Sequence, residues 1–229
     1  MITRSSHVTL KIDNSSVVCF DLDDTLYNEI DFLRSGYKTI AQLVEKDWQT
    51  LLSQMFSLYR TGGDAFQYVS DRFQITKTEL LETYRYHKPD IKAFEGVHEL
   101  FDRIGNSGGK IGVITDGRSV TQRNKLKSLG LMDRLDMVVI SEESGFEKPE
   151  PSNFIKIQQQ FPKRTYHYIG DNFSKDFISP NQLGWKTIAL LDNGLNIHNH
   201  AFEFAHKEDY RPDYIIERIT DIKIDRSLT

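Results

Sequence analysis

Three carboxylates fall within four positions at the end of an apolar run: Asp21, Asp23 and Asp24 in "VVCFDLDDTLYNE", residues 17–29. Successive side chains of an extended segment point to opposite sides, so Asp21 and Asp23 share one side while Leu22 returns to the interior. Two acids facing one cavity have two physical uses. They cap a helix N-terminus, where "DDT" supplies acceptors and favourable charge, or they hold a cation and a reacting group. A calcium loop of the helix-loop-helix kind also begins Asp-x-Asp, but its sixth and twelfth positions require glycine and glutamate. Here those positions are Leu26 and Phe32.

Three more polar tips follow. "TDG" at 115–117 brings the Thr115 hydroxyl, the N–H groups of Asp116 and Gly117, and a glycine that lets an anion come close. Lys148 stands in "EKPEP", between Glu147 and Pro149. "IGDNFSKD" puts Asp171 after an apolar run, with Asn172 next and Asp176 five positions on. Taken singly, such a lysine is a solvated cation and such an aspartate a turn residue. Together, in this order and each at the end of an apolar run, they describe a site for a phosphate and a metal ion.

Those tips need elements that bring them together. Short β-rich runs recur at 17–20, 110–115, 136–141, 165–170, 186–191 and 213–216, with the character of strands buried on both faces. Amphipathic segments lie between most of them. Residues 119–130 put Val120, Leu126 and Leu129 near one face and stop at Gly130, and 151–162 begins and ends with proline. This alternation predicts an α/β fold with a doubly wound parallel sheet, whose ligands gather at the carboxyl ends of the strands.

From about 30 to 90 the alternation stops. Ile30, Leu33, Tyr37, Ile40 and Val44 follow one helical face, and Leu51, Leu52, Met55, Phe56 and Tyr59 another. "TGG" at 61–63 is a turn, and Thr76 with Glu79 forms a capping box. The expectation is an α-helical subdomain at 30–89 inserted into a core made of 1–29 and 90–229. Phe56, Tyr59, Phe66 and Phe73 would belong to the insertion's own centre. Residues 191–212 are polar with an Asn-Gly turn and read as a long surface connection.

The order carried by "DLDDT", "TDG", "EKPEP" and "GDNFSKD" resembles the four motifs of the haloacid dehalogenase superfamily, over roughly residues 15–220. The resemblance implies a Rossmann-like core with the helical insertion as a cap, and a Mg²⁺-dependent phosphatase. In that scheme Asp21 attacks phosphorus to form an aspartyl-phosphate, while Asp23 protonates the leaving oxygen and then activates water. The carboxylates of Asp21 and Asp171 and the backbone carbonyl of Asp23 would hold Mg²⁺. Lys148, Thr115 and the N–H groups of Asp116 and Gly117 would bind the phosphoryl group, and Asn172 and Asp176 would orient metal waters. Dehalogenases of the superfamily lack an aspartate two residues after the nucleophile, so Asp23 points to phosphoryl transfer. The expected substrate is a small phosphorylated metabolite, a sugar phosphate or nucleotide. A phosphomutase is the nearest alternative, followed by a dehalogenase or a metal-binding module without turnover.

Composition sets outer limits. A chain of 229 residues suffices for one large domain or for a core with an insertion. A net charge of -4 argues against a polyanion-binding surface, so nucleic acid is not an expected partner. Cys19, the only cysteine, lies in the first apolar run and reads as a buried core residue. No stretch reaches the roughly 18 apolar residues of a membrane span, and residues 1–16 contain no signal-like apolar stretch. These features predict a cytoplasmic protein with no membrane partner; a monomer or homodimer is expected from base rates, not from any residue. Substrate choice falls to the insertion, where acidic and basic residues balance; Arg34, Tyr37 and Lys38 on its first helix and Arg118 after "TDG" are candidates to reach the substrate.

Overall fold

The computed structural model describes residues 7–225; the outer ends of the expected core, 1–6 and 226–229, lie outside the described residues. In chain order, β1 (Val8–Lys11) and β2 (Ser16–Phe20) precede four helices, α1 (Glu29–Val44), α2 (Trp48–Arg60), α3 (Ala65–Phe73) and α4 (Lys77–Tyr86). Next come α5 (Val97–Asn106), β3 (Lys110–Thr115), α6 (Ser119–Ser128), β4 (Met137–Ile140), α7 (Ser141–Ser144) and α8 (Ser152–Gln160). The chain continues through β5 (Thr165–Gly170), α9 (Ile178–Gln182), β6 (Lys186–Leu190), α10 (Ala201–Phe204), β7 (Tyr214–Ile216) and β8 (Ile222–Asp225).

The six strands expected from the sequence form one parallel sheet in the order β4-β3-β2-β5-β6-β7. All five residues of the central β2 are buried. Val18 and Phe20 point into one core layer, together with Leu100, Phe101 and Ile104 of α5 and Leu126 of α6. Val17 and Cys19 point into the other, against Phe154 and Ile157 of α8. Alternation across β2 thus feeds two apolar layers, which is why its sequence is apolar without a polar face. Cys19 is fully buried, as expected, and burial pushes its thiol well above the usual range.

Three of these elements escaped the sequence reading. β1 and β8 pair in parallel as a separate two-stranded sheet, and their Val8, Leu10 and Ile222 join the same core layer as Phe20. Helix α5 buries Val97, Leu100, Phe101 and Ile104 at helical spacing. Among the described residues no helix is long and apolar enough to cross a membrane.

Helices α1–α4 surround a separate apolar cluster that includes Leu33, Tyr37, Ile40, Leu51, Met55 and Leu80. Phe56, Tyr59, Phe66 and Phe73 pack against it. Tyr37 meets Phe56 and Phe66 edge-on at 5.7 and 5.6 Å between ring centroids. Gly36 permits the close approach of α1 and α4, since a Cβ there would lie 2.3 Å from Tyr84 Cδ2. The capping box is formed, with Thr76 Oγ1 accepting from Glu79 N and the Glu79 carboxylate accepting from Thr76 N.

His167 in β5 is buried, and neither ring nitrogen has a hydrogen-bond partner among the described residues. Burial, reinforced by Lys186, lowers its pKa to about 4. The unfolded chain therefore takes up a proton below about pH 6.5 that the folded chain refuses until about pH 4. Folding stability is lost through this residue as pH falls across that window. We expect His167→Leu to remove the loss: the stability of the wild type relative to the variant falls by up to about 1.4 kcal/mol per pH unit between those limits. Urea unfolding at a series of pH values measures it, and parallel curves for the two proteins refute the assignment.

Candidate active site

After β2 the chain winds to β3 on one side of it, and only later returns to β5 on the other, so the winding reverses between β2 and β5. A crevice opens at the carboxyl ends of the strands at such a point. Asp21 follows β2 directly and donates its N–H to Ile169 O of β5 at 2.9 Å. Asp171 follows β5, Thr115 ends β3, and Lys148 lies beyond β4 and α7. These residues, with Asp23 and Asn172, line one cavity of about 360 Å³. Four segments remote in sequence are brought together as expected.

Lys148 is the hub, its side chain 0% exposed. Its Nζ donates to Asp21 Oδ1 and Asp176 Oδ1, both at 2.7 Å, and to Tyr168 Oη at 3.0 Å. Burial opposes its charge, but Asp176 and Asp21 outweigh burial and hold the ammonium well above its usual pKa. Two carboxylates, Asp21 and Asp176, pair with this one cation, and Asp171 lies close by without pairing to it. Oxygens of Asp21, Asp171 and Asp176 lie within 4.8 Å of one another. Burial pushes Asp21 up to about 7, with Lys148 pulling down and Asp176 pushing up. Burial, then Asp176 and Asp21, raises Asp171 well above the carboxylate range. The cluster is short of positive charge, and its hard oxygen donors fit a small divalent cation such as Mg²⁺.

Asp176 is fully engaged: besides Lys148 and Tyr168, it accepts Asn172 N–H at 2.8 Å through Oδ2. Asn172 Oδ1 accepts from Ser174 N and Oγ, closing the turn after β5. In "TDG", Thr115 Oγ1 accepts from Gln122 Nε2 at 2.6 Å, and Asp116 accepts from Lys148 N and Lys175 Nζ. Gly117 has φ +129°, which glycine alone adopts readily. Its N–H, expected to face a phosphate, donates instead to Ser141 Oγ at 2.9 Å.

Several site groups were not anticipated. Asp23 accepts from Lys125 Nζ at 2.6 Å, from Gln122 Nε2 at 2.8 Å and from the Tyr27 hydroxyl. Burial works against its ionisation, yet Lys125 and these hydrogen bonds hold it below the usual carboxylate range. Lys125 lies 4.5 Å from the Phe32 ring centroid, its side chain nearly buried. The inward face of α6 carries Thr121, Gln122, Lys125 and Leu126, whereas Val120 is only half-buried. The spacing of Gln122 and Lys125 on one helical face was the available signal. The connection after β6 is also more than surface. Asn196 Nδ2 donates to Asp171 Oδ2 at 2.8 Å, Ile197 N donates to Asp24 Oδ2 at 2.9 Å, and His198 lines the cavity.

Asp24 adopts φ +56°, tolerable for an aspartate, and its other oxygen accepts Glu29 N–H at 2.7 Å. Glu29, the first residue of α1, lines the cavity too. Burial and the neighbouring Asp23 charge push it up to about 8 against the pull of Lys125. The residues expected from the sequence to reach the substrate stand off. Tyr37 is buried in the cluster of α1–α4, Arg34 is exposed, and Lys38 sits 5.8 Å from the Trp48 ring centroid. None of the three lines the cavity. Arg118 lines a neighbouring groove and is paired with Glu142 at 2.8 Å.

Residues 18–190 match the haloacid dehalogenase-like hydrolase family. A glyceraldehyde 3-phosphate phosphatase of Methanopyrus kandleri is 29% identical over 221 residues, covering 88% of this chain and 92% of the relative. The pyrophosphatase PpaX of Bacillus cereus is 23% identical over 214 residues, covering 90% and 94%. Among solved structures, a predicted phosphoglycolate phosphatase from Haemophilus somnus superposes with a TM-score of 0.63 at 18% identity, covering 91% of this chain and 96% of that one, which speaks to the fold. With the match spanning most of the chain and the motif residues gathered at one crevice, this protein belongs to the haloacid dehalogenase-like hydrolases.

Proposed function

We propose that the protein is a Mg²⁺-dependent phosphatase acting on a small phosphorylated metabolite through an aspartyl-phosphate on Asp21. The observation that carries this reading is the buried Lys148, which fixes Asp21 at the mouth of a crevice where acids outnumber cations. The relatives named for glyceraldehyde 3-phosphate and for pyrophosphate support a phosphate substrate. The modest cavity suits a small one.

Lys148 takes Asp21 Oδ1, and no described residue donates to Oδ2, which is the oxygen available to attack phosphorus. Asp21 and Asp171, with the Asp23 carbonyl, would hold Mg²⁺. That ion, when bound, offsets the repulsion between the carboxylate and the phosphate and polarises the phosphoryl oxygens. Thr115 and the Asp116 N–H would bind the transferring group, and Gly117 leaves room for it. Asp23 serves as acid toward the leaving oxygen and as base toward water. Lys125, Gln122 and Tyr27 keep Asp23 ionised in the free protein, as the base step requires; for the acid step it must take up a proton from solvent as the anionic substrate enters, which it gives to the leaving oxygen and regains from the attacking water. Asp176 and Tyr168 hold Lys148, and Asn172 shapes the turn that presents Asp171. Helices α1–α4 act as a cap over the crevice, with α1 reaching it through Glu29.

Asp21→Asn should lower kcat with a phosphate-ester panel by at least about a thousandfold, the scale of losing an attacking group, and Asp23→Asn should come close to it. Excess chelator should abolish turnover and added Mg²⁺ restore it. Phosphate release at wild-type rate from Asp21→Asn, or in chelator, refutes the mechanism. Lys125→Met should lower kcat by at least about tenfold, with less change in KM, because Asp23 loses the group that orients it. An unchanged kcat removes Lys125 from the machinery.

A further inference from the structure

Nearly every carboxylate around the crevice is already satisfied from within the protein. Asp21 accepts from Lys148, Asp23 from Lys125, Gln122 and Tyr27, Asp24 from the N–H groups of Glu29 and Ile197, and Asp171 from Thr25 and Asn196. Asp116 accepts from Lys148 N–H and Lys175. Glu147 lines the cavity but is solvent-exposed. Glu29 differs. It is half-buried on the cavity wall, and among the described residues nothing donates a hydrogen bond to its carboxyl group. Asp24 pins its backbone N–H, so its position at the entrance of α1 is held by the loop that carries Asp21.

The positive groups complete the picture. Lys148 is matched by Asp21 and Asp176, Lys175 by Asp116, and Lys125 by Asp23. His198 is kept below its usual pKa by burial, Lys175 and His200, so it adds no charge at neutral pH. A second anion entering beside the phosphate finds no unmatched cation on the wall, whereas a hydroxyl finds an acceptor. In either protonation state Glu29 has an oxygen free to accept.

We propose that Glu29 determines specificity, accepting a hydrogen bond from a hydroxyl on the leaving group and disfavouring esters with a second anionic group near the phosphate. The substrate class is then the monophosphate of a short, uncharged, hydroxyl-bearing alcohol. This rests on the phosphatase reading above, and the test separates the two. The probes are 2-hydroxyethyl phosphate and 2-phosphoglycolate, which differ in little but a hydroxymethyl against a carboxylate. Assayed at about pH 9, where Glu29 carries its charge, the full chain with Mg²⁺ should favour the hydroxyethyl ester in kcat/KM by at least about tenfold, and Glu29→Gln should shrink that ratio to about threefold or less, mainly by raising turnover of phosphoglycolate. A wild-type ratio near or below one overturns the inference whatever the variant does. So does a large ratio that Glu29→Gln leaves unmoved, or turnover of p-nitrophenyl phosphate with neither probe accepted. Failure to hydrolyse any phosphate ester overturns the phosphatase reading, and this inference with it.

Discussion

A single buried ammonium organises the crevice. Lys148 touches Asp21, Asp176 and Tyr168, and all four residues are buried. Removing one partner of such a buried ion pair typically costs about 3–5 kcal/mol, because the other is left charged without a counterpart. The surroundings accordingly hold this lysine from several sides. Asp116 accepts its backbone N–H, and Asp176 is itself anchored through Asn172 N–H. The turn after β5, the tip after β3 and the end of β2 thus become one rigid unit. Contacts of that kind fix the Asp21 carboxylate in place before any ligand arrives.

The same unit remains short of positive charge. One lysine does not balance Asp21, Asp171 and Asp176, and burial first, then the repulsion among these carboxylates, raises the pKa of Asp21 and Asp171. Asp23 lives under the opposite balance, since Lys125 gives it a cation of its own. Asp21 and Asp23 each have a lysine, but the turn after β5 sets Asp176 near Asp21, whereas Tyr27 and Gln122 add hydrogen bonds to Asp23, so the two differ in proton affinity. Divergent environments are what allow neighbouring carboxyl groups to take different roles.

Asp24 links this chemistry to the rest of the molecule. Its carboxylate joins the start of α1 to the connection after β6, through Glu29 N–H and Ile197 N–H. Asn193 adds a contact to Asn28 at 2.8 Å. The wall of the crevice is consequently shared by a helix of the four-helix group and a loop of the sheet, although these segments are far apart in sequence.

The strands, the order of the polar tips and the helical character of 30–89 were legible because they are local signals. A strand buried on both faces must be apolar throughout, and an amphipathic helix must repeat near every third or fourth residue. Asp21 and Asp171 announced themselves by ending such runs, and Lys148 by its place in the order of the motifs. β1 and β8 did not, because each is only four residues long and its partner lies at the other end of the chain. Which charges meet was likewise undecided until strand order and helix docking were known. Lys125 resembles any helical lysine until α6 lands beside Asp23, and Asn196 looks like loop until β6 is seen beside β5. Gly117 kept its expected place but turned its N–H to Ser141. By itself the sequence determined the fold class and the neighbourhood of Asp21, since burial periodicity and motif spacing are written along the chain. Only the tertiary structure decided how charge is shared among those residues, because electrostatic pairing depends on distances between segments that the sequence does not order in space.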